Sequence, residues 1–331
     1  MGASSYLCLA LLLGRPAPAL AGNTDPPPAI FDNASAPFRE HWFFSLEGGY
    51  AANASPSNLG FSPTDPYLSY LSPLRPGGNG GFVGGTIGHT MGPEWDAALS
   101  YHATLLGKSS ENITASPPPG GFVTSNALTA SAASGLWYQT FDAEVGYHPP
   151  AWLAENVRLF FGPRILTAHS SINYGFNDSG TDFIGVPGTF DKLGNFSHDI
   201  DLAGVGPRAG FEASVPLAFT TAPITFDISG AGSAIFTLVQ DSYSYSSSAV
   251  TPTVTGGAET EHHPVVYGLE GKAGLSYHMN GSTTLEAGYQ VEQWYNLATS
   301  VSLATDTGTY QGGHSSVLSH GPFGKITVEL P

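Results

Sequence analysis

Alternation with period two recurs along the chain after residue 40. In "VYGLEGKAGLSYHM", residues 266–279, Tyr267, Leu269, Gly271, Ala273, Leu275, Tyr277 and Met279 share one face, and Gly268, Glu270, Lys272, Gly274, Ser276 and His278 share the other. "FDAEVGYH" sets Phe141, Ala143, Val145 and Tyr147 against Asp142, Glu144 and His148, and "TLEAGYQVE" sets Leu285, Ala287, Tyr289 and Val291 against Glu286, Gln290 and Glu292. "WFFSLEGGY" opposes Trp42, Phe44 and Leu46 to Ser45 and Glu47, and "EWDAALSYHA" opposes Trp95, Ala97, Leu99 and Tyr101 to Asp96, Ser100 and His102. No stretch holds a helical period with caps, and none supplies the run of about eighteen apolar residues that a spanning helix needs. The pattern predicts an all-β chain of strands whose two faces meet different surroundings.

The links between these strands alternate in length. Short ones, "MGPE" (91–94), "PPAWLAEN" (149–156), "PLAFTTAP" (216–223) and "MNGST" (279–283), are interleaved with long polar ones at 52–79, 108–133, 173–198, 241–264 and 300–318. Short turns on one side and long loops on the other fit a transmembrane antiparallel up-and-down β-barrel of about ten strands, with eight to twelve accommodated. Two rows of loops also fit a soluble up-and-down barrel or a sandwich.

Charge separates these alternatives. Asp, Glu, Lys and Arg make up 11% of the chain, with only four Lys, whereas the outer surface of a soluble barrel normally carries many charges. In lipid the apolar face turns outward and the Glu, Arg and Gln face a wet lumen, so a low total charge is expected. Tyr267 and Tyr277, ten residues apart on one face, lie roughly 23 Å apart in height at a 45° tilt, matching two aromatic girdles. The formal charge of −16 and the lack of a basic patch argue against nucleic acid as a partner.

Two segments repeat one device. "GVGPRAGFEASV" (204–215) places Val205, Ala209, Phe211, Ala213 and Val215 on the lipid face and Gly206, Arg208, Glu212 and Ser214 on the inner one, while "LFFGPRILTAH" (159–169) repeats Gly-Pro-Arg at 162–164. Pro207 lacks an N–H, which predicts a bulge or a strand end. The repeated inward cations suggest a lumen network in which Arg158, Arg164 and Arg208 face Asp142, Glu144 and Glu212. Glu270, Lys272, Glu286 and Glu292 complete the pore-lining set expected from the alternation. The alternative for the two arginines is bulge chemistry with solvated side chains.

The amino terminus has an apolar core from Tyr6 to Leu13 and an Ala19-Leu20-Ala21 site of small residues, which reads as a signal peptide over 1–21. No Lys or Arg precedes that core. Cys8 is the single cysteine and lies within the signal, so the exported chain is expected to use no disulfide. Residues 22–40 read as a flexible lead-in, and 41–331 as the barrel.

"WFFSLEGGY", "FDAEVGYHP" and "GVGPRAGFEA" together resemble the Legionella-type major outer-membrane protein family, a group of pore-forming barrels, and the likeness covers most of residues 41–331. The resemblance implies a bacterial outer-membrane location and a porin-like role, and it carries over no catalytic residue. "GKITVELP" departs from the terminal aromatic residue of many such barrels, ending on Leu330 and Pro331, although Ile326, Val328 and Leu330 still alternate with Lys325, Thr327 and Glu329.

Motifs for catalysis are missing: no Gly-x-Ser-x-Gly elbow, P-loop or His-Glu-x-x-His is present. "EHHP" (Glu261, His262, His263) offers metal-ligand types, but adjacent residues in an extended segment point apart. "NDSGTD" (177–182) lacks the distal Glu of a calcium loop and reads as an Asn-Gly turn. "HDID" (198–201) reads as a solvated strand entry or a site for cations that bridge lipopolysaccharide. Ser100 with His102, and Ser276 with His278, share inner faces, which fits lumen polarity better than hydrolysis.

No cofactor, no metal and no enzymatic activity are therefore expected. The expected partners are outer-membrane lipids, lipopolysaccharide, and small solutes or ions. Three functions are consistent with this reading. The first is a porin-like pore that prefers cations, because inner carboxylates outnumber inner cations. The second is a structural or adhesive barrel with a plugged lumen, and the third is an outer-membrane lipid hydrolase.

Overall fold

The computed structural model describes residues 40–54, 78–115, 123–150, 156–182, 188–217, 222–248, 253–304 and 309–330. Eleven strands follow one another: β1 (Trp42–Asn53), β2 (Gly80–Thr90), β3 (Trp95–Ala115), β4 (Val123–Tyr147), β5 (Val157–Asp182), β6 (Gly188–Pro216), β7 (Ile224–Ser248), β8 (Thr253–His262), β9 (Val265–Asn280), β10 (Thr283–Ala304) and β11 (Thr309–Leu330). Their order is β6-β5-β4-β3-β2-β1-β11-β10-β9-β7-β8, and β6 also pairs with β7. That pairing closes a ten-stranded antiparallel barrel, with β8 added beside the upper half of β7. Closure leaves no strand edge in the lipid, as a spanning sheet requires. The signal and most of the lead-in lie outside the described residues.

β11 closes the ring by pairing with β1. Leu330 faces Trp42, Val328 faces Phe44 and Ile326 faces Leu46, so the expected final strand lies in register with the first. The short turns are tight. Asn280 and Thr283 pair directly across Gly281 and Ser282, and Gly92 takes φ 111° in the turn before Trp95, a conformation open to glycine.

Two sequence expectations change. Most of the polar connections are ladder rather than loop: β5 and β6 stay paired up to Asp182 and Gly188, and β10 and β11 up to Ala304 and Thr309. "NDSGTD" is accordingly the end of β5, not a turn. These segments are rich in Ser, Asn, Gly and Thr, so no apolar alternation marks them in the sequence. Pro207 makes neither a bulge nor an end. It sits opposite Pro163, and β6 keeps one register with β7 from Val205↔Phe236 to Arg208↔Ser233. β4 likewise keeps its register with β5 on either side of Pro163. The missing rungs lie on the β4 side of Pro163 and the β7 side of Pro207, so each proline costs one neighbour's contact and the twin strands run on.

The outer face is apolar. Leu46, Leu99, Phe161, Val205, Ile228 and Leu275 are all exposed, and the five described Lys and Arg side chains of the barrel wall, Arg158, Arg164, Arg208, Lys272 and Lys325, take part in inward ion pairs. Trp42, Trp95 and Tyr277 mark the lower rim and Tyr50, Tyr267 and Tyr295 a higher ring. Cross-strand packing steadies them, as with Trp95 on Tyr147 at 4.9 Å between centroids. Leu99 lies midway up this band, and Leu99→Arg is expected to cost about 2–4 kcal/mol while Leu99→Ala costs little. Urea unfolding in lipid vesicles, followed by tryptophan fluorescence, reads the difference.

Candidate functional site in the lumen

The inner face divides into two layers. Nearer the short turns, where the strands begin and end, ion pairs cross from strand to strand. Arg158 on β5 donates from Nε and Nη2 to the Asp96 carboxylate on β3 at 2.8 and 2.7 Å, from Nη2 to Glu144 Oε1 at 3.0 Å and from Nη1 to Glu212 Oε2 at 3.2 Å. Arg164 grips Asp142 with both Nε and Nη2, at 2.6 and 2.7 Å, and reaches Glu270 on β9 with Nη1. Arg208 on β6 bonds Glu144 Oε2 at 2.7 Å and Glu270 Oε2 at 3.0 Å. The two Gly-Pro-Arg arginines thus share Glu270, and Arg158 and Arg208 share Glu144.

Sequence position explains why these groups meet. Even-numbered residues of β4, β5 and β6 all point inward, so Asp142, Arg164 and Gly206 form one row of paired residues and Arg158 and Glu212 are direct partners. Phe160 lies between the guanidiniums of Arg158 and Arg208, at 5.3 and 4.6 Å from its ring centroid. Gly146 leaves room for the salt bridge, since a Cβ there would fall on Asp96 and Arg158. Lys272 Nζ binds both oxygens of Glu47 on β1 at 2.8 and 2.7 Å, and Lys325 lies 3.4 Å from Glu286. All ten residues named for the lumen from the sequence are thus inward: seven join the arginine network, Lys272 and Glu286 sit in the two separate lysine pairs, and Glu292 stands apart from both.

Above the ionic layer the lumen is filled. Trp294, Tyr138, Leu166, Ile235 and Val266 are at most 1% exposed and belong to one apolar cluster with Phe82, Leu106, Val317 and Phe323. Tyr138 crosses the barrel. Its hydroxyl donates to Glu292 Oε2 at 2.6 Å and lies 3.2 Å from Ser319 Oγ, although β4 and β10 stand five places apart in a ring of ten. Trp294 meets Tyr138 edge-on at 5.9 Å and lies 5.6 Å from the Arg164 guanidinium, joining the two layers. His102 Nδ1 lies 3.7 Å from Glu292 Oε1.

Tyr138 and Trp294 are absent from the set read off the sequence, although the signal was present. Tyr138 shares parity with Asp142 and Glu144, and Trp294 with Glu286 and Glu292, so continuing each strand upward puts both aromatics inside. Asp96 and Glu47 were placed on inner faces, but their partners on β5 and β9 depend on the stagger of the barrel, which alternation does not encode.

The remaining candidate chemistry is dispersed. Ser100 Oγ bonds Thr86 Oγ1 at 2.9 Å, and His278 Nδ1 bonds Thr284 Oγ1 at 3.0 Å. In "HDID", His198 points inward to Asp241 while Asp201 accepts from outward His169 at 2.8 Å. Glu261 and His263 are exposed and 3.8 Å apart, and the described residues include no group of three metal-ligating side chains.

A family model described as Legionella pneumophila major outer membrane protein precursor matches residues 101–329. The chain belongs to this family of bacterial outer-membrane proteins. No curated protein matches it. Solved structures with a similar fold include the outer membrane protease OmpT from Escherichia coli, at 11% identity, covering 88% of this chain and 96% of that one with a TM-score of 0.37. A major outer membrane protein from Thermus thermophilus follows at 12% identity, 87% and 99% coverage and a TM-score of 0.27. A Pseudomonas aeruginosa FadL homologue has 8% identity, 87% and 90% coverage and a TM-score of 0.29. The chain is therefore a bacterial outer-membrane β-barrel, by its family and by its own closed sheet.

Proposed function

We propose that this family member is a structural outer-membrane barrel whose lumen is closed by its own side chains, and that it works at the cell surface through its extended hairpins. Residues 1–21 serve as its export signal, and lipids and lipopolysaccharide surround the apolar band. The observation that carries this reading is the Tyr138–Glu292 hydrogen bond across the ring, packed on Trp294 and the buried cluster. A water-filled passage leaves its lining exposed to solvent, whereas here Leu166, Ile235 and Val266 have no exposure. Ten strands enclose little more space than small closed barrels, so a few large side chains suffice to fill it. This reading assigns the lumen no catalysis.

A cation-preferring pore for small solutes is the second reading, and charge favours it. Glu47, Asp96, Asp142, Glu144, Glu212, Asp227, Glu270, Glu286 and Glu292 outnumber Arg158, Arg164, Arg208, Lys272 and Lys325 along the inner faces. Liposome swelling separates the two readings. Vesicles containing the refolded protein are expected to swell in arabinose or glycine no faster than empty vesicles, and solute-dependent swelling would establish the pore instead.

A further inference from the structure

Above the membrane the barrel wall has a seam. β7 pairs with β9 from Ile224 to Phe236 and with β8 from Val239 to Ser248, so β8 and β9 occupy the same flank of β7, one above the other. Pro264 marks the break, held by Thr237, whose N and Oγ1 both donate to its carbonyl at 3.2 and 2.7 Å. On the far side, β10 follows β9 only as far as Tyr295↔Tyr267. There Asn296 takes φ 64°, its Nδ2 donates to Val265 O at 2.9 Å, and the register shifts between Trp294 and Ala298. Among the described residues, Ala298–Ala304 beyond this bend pair with β11 alone and β8 pairs with β7 alone, so two strand edges flank one gap between described strands at the height of β8.

β8 is an edge guarded by charge of one sign only. Proteins usually protect such edges with charged side chains, Pro or a bulge; "TVTGGAETEH" contains no Lys or Pro, its pairing with β7 runs without a register shift, and its charged side chains are the carboxylates of Glu259 and Glu261. Thr255 to Glu261 are all exposed. The charge beside the edge has one sign. Glu259 pairs with Ser242 and Glu261 with Gln240, and those β7 residues pair with Asp199 and Asp201 on β6. Two rows of carboxylates thus run across three strands, with the imidazoles of His169 on Asp201 and of His263 near Glu261 beside them among the described residues.

We propose that the β8 edge is a docking site for an extended segment of another protein that carries Lys or Arg at alternate positions. The segment adds as a strand to β8, using its main-chain N–H and C=O groups, and its cations pair with Glu259 and Glu261, which share one face two residues apart. A second copy of this chain is the poorer occupant, because edge-to-edge pairing would bring these same carboxylates together. The proposal is independent of whether the lumen conducts.

The test uses the full-length barrel in lipid nanodiscs and the fluorescein-labelled peptide Thr-Lys-Val-Lys-Thr-Lys-Val. Saturable binding is expected, with slowed amide exchange over 253–262. Glu259→Gln with Glu261→Gln should weaken it at least tenfold, and heat-modifiable gel migration verifies that this variant is folded. The equally charged peptide Thr-Lys-Pro-Lys-Pro-Lys-Val, which cannot extend a ladder, should also bind at least tenfold more weakly. Equal binding of the proline peptide would reduce the effect to charge attraction and overturn strand addition. Binding indifferent to the glutamine changes would overturn it too, as would concentration-dependent pairing of barrels that the peptide displaces, which would assign the seam to a second copy.

Discussion

Replacing Tyr138 and Trp294 together by glycine is expected to turn a silent barrel into a channel. Both side chains project into the middle of the lumen, and the Tyr138 hydroxyl bridges β4 to β10 and β11. Removing them deletes the largest fully buried groups of the apolar layer and leaves a gap directly above the charged layer. Water is expected to enter because Glu292, Gln290 and His102 border that gap and offer it partners. Single-channel steps should then appear in planar bilayers, with potassium passing several-fold more readily than chloride, because carboxylates outnumber cations below the gap. Tyr138→Phe should stay silent, since it keeps the volume and loses only the hydrogen bond. A silent double-glycine variant that is correctly folded by gel migration would show that closure rests on other groups.

Arg164→Met is expected to be the most destabilising single change in the ionic layer. Arg164 is 3% exposed, holds Asp142 with two hydrogen bonds and also contacts Glu270. Its loss leaves buried carboxylates short of a counter-charge, which costs about 3–5 kcal/mol for a broken buried pair. Arg208 still bonds Glu270 at 3.0 Å but comes no nearer than 3.7 Å to Asp142, so Asp142 bears most of the loss. Adding Asp142→Asn removes the stranded charge and should recover a large part of the stability, because deleting a whole buried pair is far less costly than deleting half of one. Urea unfolding of both variants in vesicles measures this, and equal losses would mean that Arg164 acts through packing on Trp294 alone.

Much of this architecture is legible in the sequence, for a definite reason. In the membrane, every second residue meets hydrocarbon and the others meet the lumen, so Tyr267 to Met279 on β9 show their facing directly, and Ile326, Val328 and Leu330 mark a final strand, whose register with Trp42 only the closed sheet shows. The twin Gly-Pro-Arg segments likewise indicate inward arginines on neighbouring strands. Legibility stops where residue type stops marking the two faces. The upper halves of β5, β6 and β10 are rich in Ser, Asn, Gly and Thr and read as loops, although Phe196 and His198 are still buried on the inner face of β6, and β8 is hidden among them. Partners across the lumen are hidden for another reason. Asp96 meets Arg158, and Glu47 meets Lys272, through the stagger of the closed sheet, a property of the ring rather than of any one strand. Closure is hardest to read, since Tyr138 and Trp294 look like further girdle aromatics until their parity is counted.

The account stands or falls on whether the native lumen is shut. The most direct measurement is the current through a planar bilayer holding the refolded wild-type protein in potassium chloride, with heat-modifiable migration showing that the barrel has formed. The closed lumen predicts a flat baseline at moderate voltage, under conditions where the Tyr138 and Trp294 double-glycine variant conducts. Steady, stepwise, cation-selective current from the wild-type protein would contradict it.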